Sequence, residues 1–176
     1  ELGQRLTEAL SEETDEHVVC GLVEIFARIA SHNPSELTEH GLAERLLSLL
    51  DSRFTSVRAA AARCVAALCE DEHGLAPARL LDAGLVPACA RLALAERSVR
   101  AHDVAAVAVG IIARIAQEST TMRVRVVQGE VHGVLLAFAG PQLPNAPPAV
   151  HQAQLFALEA IYELGKTSEF LSLIHI

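Results

Sequence analysis

The chain has 176 residues and a formal net charge of −8. This excess of acidic side chains argues against nucleic acid as a partner, because affinity for phosphates comes mainly from Lys and Arg. Charged residues also interrupt every apolar stretch before it reaches the length of a membrane span, so the sequence predicts no membrane segment. The expected partner is therefore another protein.

The apolar residues are mostly Ala, Leu and Val, and aromatic residues make up 3% of the chain. This composition favours slender, closely packed helices over a β-sandwich.

Cys20, Cys64, Cys69 and Cys89 lie in apolar helical stretches and form no Cys-x-x-Cys pair. We expect buried, reduced thiols in a cytoplasmic or nuclear protein, because disulfides are rare in those compartments.

Hydrophobic periodicity predicts a series of helices and no strands. In chain order they are expected at about 2–10, 15–30, 35–40, 42–50, 55–70, 77–83, 85–95, 100–117, 122–128, 131–139 and 149–165. Gly41, Gly84 and Gly129 follow the short helices, where each is expected to supply a left-handed turn before the next helix. Residues 140–148, GPQLPNAPP, are expected to form a long loop, because proline lacks an N–H donor and restricts its neighbours.

One apolar spacing, i, i+4, i+7, i+8, i+11, recurs on the four long helices. Its copies begin at Val18, Val57, Val104 and Ala153, which are 39, 47 and 49 residues apart, and all twenty positions are apolar. The first copy consists of Val18, Leu22, Ile25, Phe26 and Ile29. Each copy is expected to be the buried stripe of its helix. A period of about 40 to 47 residues is typical of helical repeat proteins.

The repeat predicts an all-α, right-handed solenoid of armadillo/HEAT type, with about three full repeats and part of a fourth. Residues 1–170 are expected to form a segment of such a solenoid without its terminal caps, so both ends should expose apolar surface. Residues 171–176 read LSLIHI, which resembles the translation of a transposon end used in preparing sequencing libraries. We expect this tail to be non-native.

The sequence offers little to support catalysis, a cofactor or a metal. His73 follows Cys69 by four residues, a helix-face ligand spacing, but two ligands make a weak site. The acids Glu70, Asp71 and Glu72 lie at a helix boundary rather than in a predicted cleft. No Gly-rich phosphate loop or nucleophile elbow is present. We therefore expect a protein that is not an enzyme.

In a solenoid the long helices line the concave face, where the partner commonly binds. Two columns of the repeat point away from the buried stripe, and their charged members are the candidate binding residues: Glu24, Arg28, Arg63, Arg114, Glu159 and Glu163. The arginines would suit carboxylates of an acidic or C-terminal segment. The alternative is that they are ordinary solvated residues, with Glu24 and Arg28 paired at i,i+4. The columns lack the Trp and Asn ladders of armadillo nuclear import receptors.

Several stretches resemble the armadillo/HEAT family of 26S proteasome non-ATPase regulatory subunit 5. They are VAVGII (107–112), RVVQG (125–129), the Leu135–Leu136 pair, PNAPP (144–148) and LEAI (158–161). The similarity covers most of residues 2–165 and implies an assembly chaperone of the proteasome regulatory-particle base that binds its ATPase subunits. Two other interpretations stay open: a general armadillo scaffold that binds a peptide or a partner domain, and an accessory module of an enzyme.

Overall fold

A computed structural model describes residues 5, 7–10, 13, 15–30, 32, 41–71, 75–98 and 101–174. Within these ranges the chain is helical and contains no strand. Its residues group into two compact units, Glu1–Leu85 and Val86–Ile176. The predicted helix at 35–40 and most of the one at 2–10 lie outside the described ranges.

The first unit contains helical residues 7–10 and four helices that the structure bounds. These are α1 (Glu16–Ala30), α2 (Leu42–Leu49), α3 (Thr55–Leu68) and α4 (Leu75–Asp82). Helix α5 (Leu85–Ser98) begins at the last residue of this unit. The second unit continues with α6 (His102–Glu118), α7 (Thr120–Gln128), α8 (His132–Ala139), α9 (Pro148–Leu164) and α10 (Ser168–Ile174). The predicted helices that fall in the described ranges are thus confirmed.

The core of each unit is a pair of long helices. Helix α1 packs on α3 in the first unit, and α6 packs on α9 in the second. The apolar stripes that begin at Val57 and Val104 are buried throughout, and the stripe that begins at Ala153 is buried except for the half-buried Ile161. Burying such a stripe is what holds one repeat against the next, because each large apolar side chain contributes about 1.5–3 kcal/mol.

The stripe predicted on α1 is wrong in its orientation. Of its members, Phe26 is buried and Leu22 and Ile29 are half-buried, but Val18 and Ile25 are each 47% exposed. Val19 and Val23, which lie outside the predicted stripe, are buried. The helix carries two apolar faces one residue apart, and the face that contains Val19 packs in the core of the first unit.

The glycine turns are confirmed at two positions and corrected at the third. Gly41 and Gly84 have φ values of 75° and 94°, in the left-handed region that glycine adopts without strain. Gly129 has a φ of −78°, and the left-handed residue is its neighbour Glu130, with a φ of 56°. A Cβ at Gly129 would lie 2.4 Å from Cγ1 of Val86. Glycine is therefore required at Gly129 by close packing and not by backbone conformation.

Residues 140–147 form the expected long loop between α8 and α9. The side-chain amides of Gln142 and Gln154 both donate to the carbonyl of Gly140, at 3.0 and 2.9 Å, and this fixes the start of the loop. Pro148 begins α9, a position where its missing N–H costs nothing.

Residues 171–174 of the suspected tail continue helix α10, and Phe170 of that helix is buried. The non-native origin of the tail stays a prediction.

Candidate functional site

Three of the predicted binding residues lie on the long helices of the first unit. Glu24, Arg28 and Arg63 are all exposed. Glu24 Oε1 and Arg63 Nη2 are 3.7 Å apart and link α1 to α3. Both side chains are more than half exposed, so this ion pair contributes less than about 1 kcal/mol and is easily exchanged for another partner.

The other three residues lie on α6 and α9 of the second unit. Arg114 Nε is 3.0 Å from Oε1 of Glu118, one turn further along α6. Glu163 accepts from Lys166 Nζ at 2.7 Å and from Arg123 Nη1 at 3.0 Å. Glu159 is half-buried and makes no ion pair within the described residues.

Glu163 has a structural role that the sequence did not reveal. The hydrogen bond from Lys166 lowers the pKa of the Glu163 carboxyl below its usual 4.5, despite a smaller opposing effect of desolvation, and the charges of Lys166 and Arg123 lower it further. Because Arg123 is on α7 and Glu163 is on α9, their contact ties these helices together. Of the six candidates, Glu163 is the most engaged in holding the fold.

The cysteines are placed as packing residues. Burial raises the pKa of the Cys64 thiol to about 12, and it raises that of Cys89 to about 12 even with Arg91 nearby. A thiol with such a pKa carries almost no thiolate at neutral pH and is a poor nucleophile or metal ligand. His73 of the weak Cys69–His73 pair lies outside the described residues. Where side chains are described, no group of three His, Cys, Asp or Glu residues is arranged to hold a metal.

A cavity of about 440 Å³ lies beneath the 140–147 loop in the second unit. Its walls include Arg97, Phe138, Leu143 and Val150. The Arg97 guanidinium lies 5.2 Å from the centre of the Phe138 ring and donates to the carbonyl of Ala137 at 2.9 Å. From the sequence, this stretch was expected only to form a long loop. Leu143 of the loop lines the cavity and is 78% exposed.

None of the helices in the described ranges is long and apolar enough to cross a membrane.

No family model and no curated protein matches the sequence. Solved structures do match. A computationally designed armadillo repeat protein for modular peptide recognition superposes with a TM-score of 0.77 at 19% identity, over 99% of this chain and 70% of its own. The fold is an armadillo-type α-solenoid. An engineered protein gives a TM-score of 0.75 at 23% identity, over 96% of this chain and 69% of its own.

A third match is a designed armadillo repeat protein in complex with the peptide (KR)4. Its TM-score is 0.71 at 25% identity, and the match covers 88% of this chain and 62% of that one. The all-α solenoid predicted from the repeat period is thereby confirmed. At these identities the likeness establishes the architecture alone.

Proposed function

We propose that the chain is a non-enzymatic scaffold that binds a protein partner along its long helices. The observation that carries this proposal is the match to designed armadillo repeat proteins, one of which is in complex with a peptide. The exposed charges of α1 and α3 supply a surface of suitable chemistry. Within the part of the chain that the structure describes, Arg63 is held by a long, solvated contact to Glu24, so a partner carboxylate could replace that contact at little cost.

The more specific proposal is an assembly chaperone of the proteasome regulatory-particle base that acts in the cytoplasm on free ATPase subunits. Its support is the sequence resemblance of residues 107–112, 125–129 and 144–148. Such a chaperone must release its client when a larger interface forms. A binding surface of exposed ion pairs is compatible with this requirement, because each pair contributes little and affinity stays moderate.

The alternative is a general armadillo scaffold whose partner is an extended peptide. The designed proteins with the same fold favour this alternative, because they recognise peptides. Their bound peptide (KR)4 is basic, whereas the exposed arginines of this chain, Arg28, Arg63 and Arg114, favour carboxylates. We therefore expect a ligand that carries acidic groups.

The test is affinity capture from cell extract with partners identified by mass spectrometry, followed by titration of the purified partner. The charge reversal Arg63→Glu should weaken binding at least about fivefold, the loss of a residue that contributes 1 kcal/mol or more. Arg5→Glu, an equal charge change at an exposed residue outside the long helices, is the matched control and should have no effect.

Recovery of regulatory-particle ATPases without the proteolytic core would support the chaperone. Recovery of an unrelated partner that still depends on Arg63 would support the general scaffold and reject the chaperone. Equal binding by the Arg63→Glu and Arg5→Glu variants would reject the proposed surface itself.

A further inference from the structure

The cavity beneath the 140–147 loop has the size and the position of a ligand site. Its volume of about 440 Å³ lies within the range of about 300–1,000 Å³ that is usual for small-molecule sites. Its walls come from α5 and α6 on one side and from α8 and α9 on the other. The cavity therefore lies between two consecutive repeats that are both present, so a further repeat of the solenoid is not its occupant.

Most of the cavity wall is apolar. Phe138 and Ala153 are buried, and Val150 is half-buried. Leu143 lines the same cavity but leaves 78% of its surface in water. A ligand with an apolar body would cover Leu143, and the removal of this apolar surface from water favours binding.

Arg97 adds a positive charge to this apolar wall. Its Nη1 donates to the Ala137 carbonyl at 2.9 Å, and its guanidinium carbon lies 5.2 Å from the centre of the Phe138 ring. These contacts fix the guanidinium at the cavity and engage one of its five N–H donors. Arg97 makes no ion pair within the described residues, and none of the described residues that line the cavity is acidic. The charge is thus available to an anionic ligand.

We infer that this cavity binds a small organic acid that has one carboxylate and an apolar body. The carboxylate pairs with the fork of N–H donors on Arg97, a geometry that suits it well. His102 and Asn145 also line the cavity and offer further N–H donors. The apolar body lies against Phe138 and Leu143. None of the six candidate binding residues lines the cavity, so this site is additional to the proposed scaffold surface.

A carboxylate fits this cavity better than a phosphate does. A phosphate monoester carries a charge of about −1.5 to −2 at neutral pH, which Arg97 alone would balance only in part. The remaining charge would lose its water against an apolar wall, and burying a charge without a partner is costly. One arginine in an apolar cavity therefore selects a monoanion.

The test measures binding of phenylbutyrate to the full chain, with phenylbutyramide as the uncharged control of the same shape. Binding is followed by NMR of the side-chain amides. Those of Gln142 and Asn145, which line the cavity, should shift, and that of Gln128, an exposed residue of α7 that does not line it, should stay in place. A ligand of this size reaches a Kd of about 1 mM or lower in a fitted pocket. A charged hydrogen bond predicts that the acid binds at least about tenfold more tightly than the amide.

Arg97→Gln tests the residue that selects the carboxylate. This variant loses the charge but keeps a side-chain N–H donor, and it should weaken phenylbutyrate binding at least about tenfold while phenylbutyramide binding changes little. Arg53→Gln is the matched control. Arg53 is also exposed and lies over a phenylalanine ring, at 4.5 Å from the centre of Phe54, but it does not line the cavity. This control should bind both probes as the wild type does, and circular dichroism checks the fold of each variant.

Three results would overturn the inference. The first is the absence of a saturable shift of the Gln142 and Asn145 amides up to about ten times the expected Kd. The second is equal affinity of the wild type for acid and amide, a comparison that needs no variant. The third is binding of acetyl-glycyl-phenylalanine more than about tenfold tighter than phenylbutyrate, since the cavity would then be built for the C-terminus of a peptide rather than for a small acid.

Discussion

Gly129 provides the sharpest test of how the helices of the second unit pack. A methyl group added there would lie 2.4 Å from Cγ1 and 2.9 Å from Cβ of Val86. Ordinary carbon contacts are about 3.5–4.0 Å, so Val86 and Gly129 would have to separate by more than about 1 Å. Val86 lies on α5 and is buried, which leaves it no solvent to move into.

We expect Gly129→Ala to lower the free energy of unfolding. Overpacking of this kind costs about 1–3 kcal/mol. The backbone at Gly129 has φ −78° and ψ 7°, which alanine adopts freely, so reduced entropy of the unfolded chain offsets about 0.4–1 kcal/mol of that cost. The centres of these two ranges give a net loss of about 1.3 kcal/mol, and each kcal/mol corresponds to about 2–4 °C in Tm.

The matched control is Gly133→Ala in the same unit. A Cβ at Gly133 would meet nothing within 4 Å, and the residue lies within α8. Alanine is the better helix former, so this variant should be more stable by up to about 1 kcal/mol. Urea unfolding followed by circular dichroism measures both variants, and the two substitutions should shift the midpoint in opposite directions.

A double-mutant cycle shows whether Val86 is the cause. Val86→Ala alone should cost about 1–3 kcal/mol by leaving a cavity. In the double variant the 2.4 Å contact with Cγ1 is removed and only the 2.9 Å approach to the Cβ of residue 86 remains, so the combined loss should fall short of the sum by at least about 1 kcal/mol. Strictly additive losses, or a Gly129→Ala variant as stable as the wild type, would refute the packing argument.

The remaining predictions concern a helix cap, a carboxylate and the thiols. Ser119→Ala removes the side chain that accepts at 3.2 Å from a backbone N–H in the first turn of α7, and thermal unfolding should show a loss of about 1 kcal/mol. The pKa of the Glu163 carboxyl is lowered in the folded chain, so the carboxylate stabilises the fold above pH 4.5, and this stabilisation is lost as the pH falls through the lower folded pKa. Glu163→Gln should therefore remove this part of the acid dependence of the urea unfolding midpoint. A thiol reagent at pH 8 should modify the half-buried Cys20 before Cys64 and Cys89, whose pKa values are about 12, and equal rates in the native protein would contradict their burial.

The sequence predicted helix positions well because the apolar stripe that defines them is a local property. It did not predict how α1 is oriented. Spacing alone supports the stripe that begins at Val18 and also a neighbouring one that contains Val19, Val23 and Ala30, with Phe26 common to both. Which stripe is buried depends on how α3 packs against α1, and that contact joins residues about one repeat apart in sequence.

Two further differences between the sequence-based expectation and the structure also arise from contacts between residues far apart in sequence. The sequence paired Glu24 with Arg28 because residues four apart are neighbours on a helix, but the structure pairs Glu24 with Arg63 on α3. It also assigned Gly129 to a left-handed turn, whereas the glycine is needed because Val86 approaches from α5. The decisive neighbour is remote in sequence in both cases, and no local pattern contains it.

Polar contacts between consecutive repeats explain how a solenoid with nearly uniform apolar stripes keeps its order. In both units they join residues 35–40 positions apart: Arg45 to the Leu10 carbonyl, Ser56 to Glu16, Arg63 to Glu24, Arg97 to the Ala137 carbonyl, and Arg123 to Glu163. An Ala- and Val-rich stripe fits several others about equally well, whereas a directed hydrogen bond fits only one neighbour at one register. The charges of the long helices therefore have a stacking role as well as a proposed binding role. Loss of partner binding by an Arg63 variant is evidence for a binding site only where its unfolding midpoint equals that of the wild type, because the Glu24 contact across α1 and α3 is lost in the same substitution.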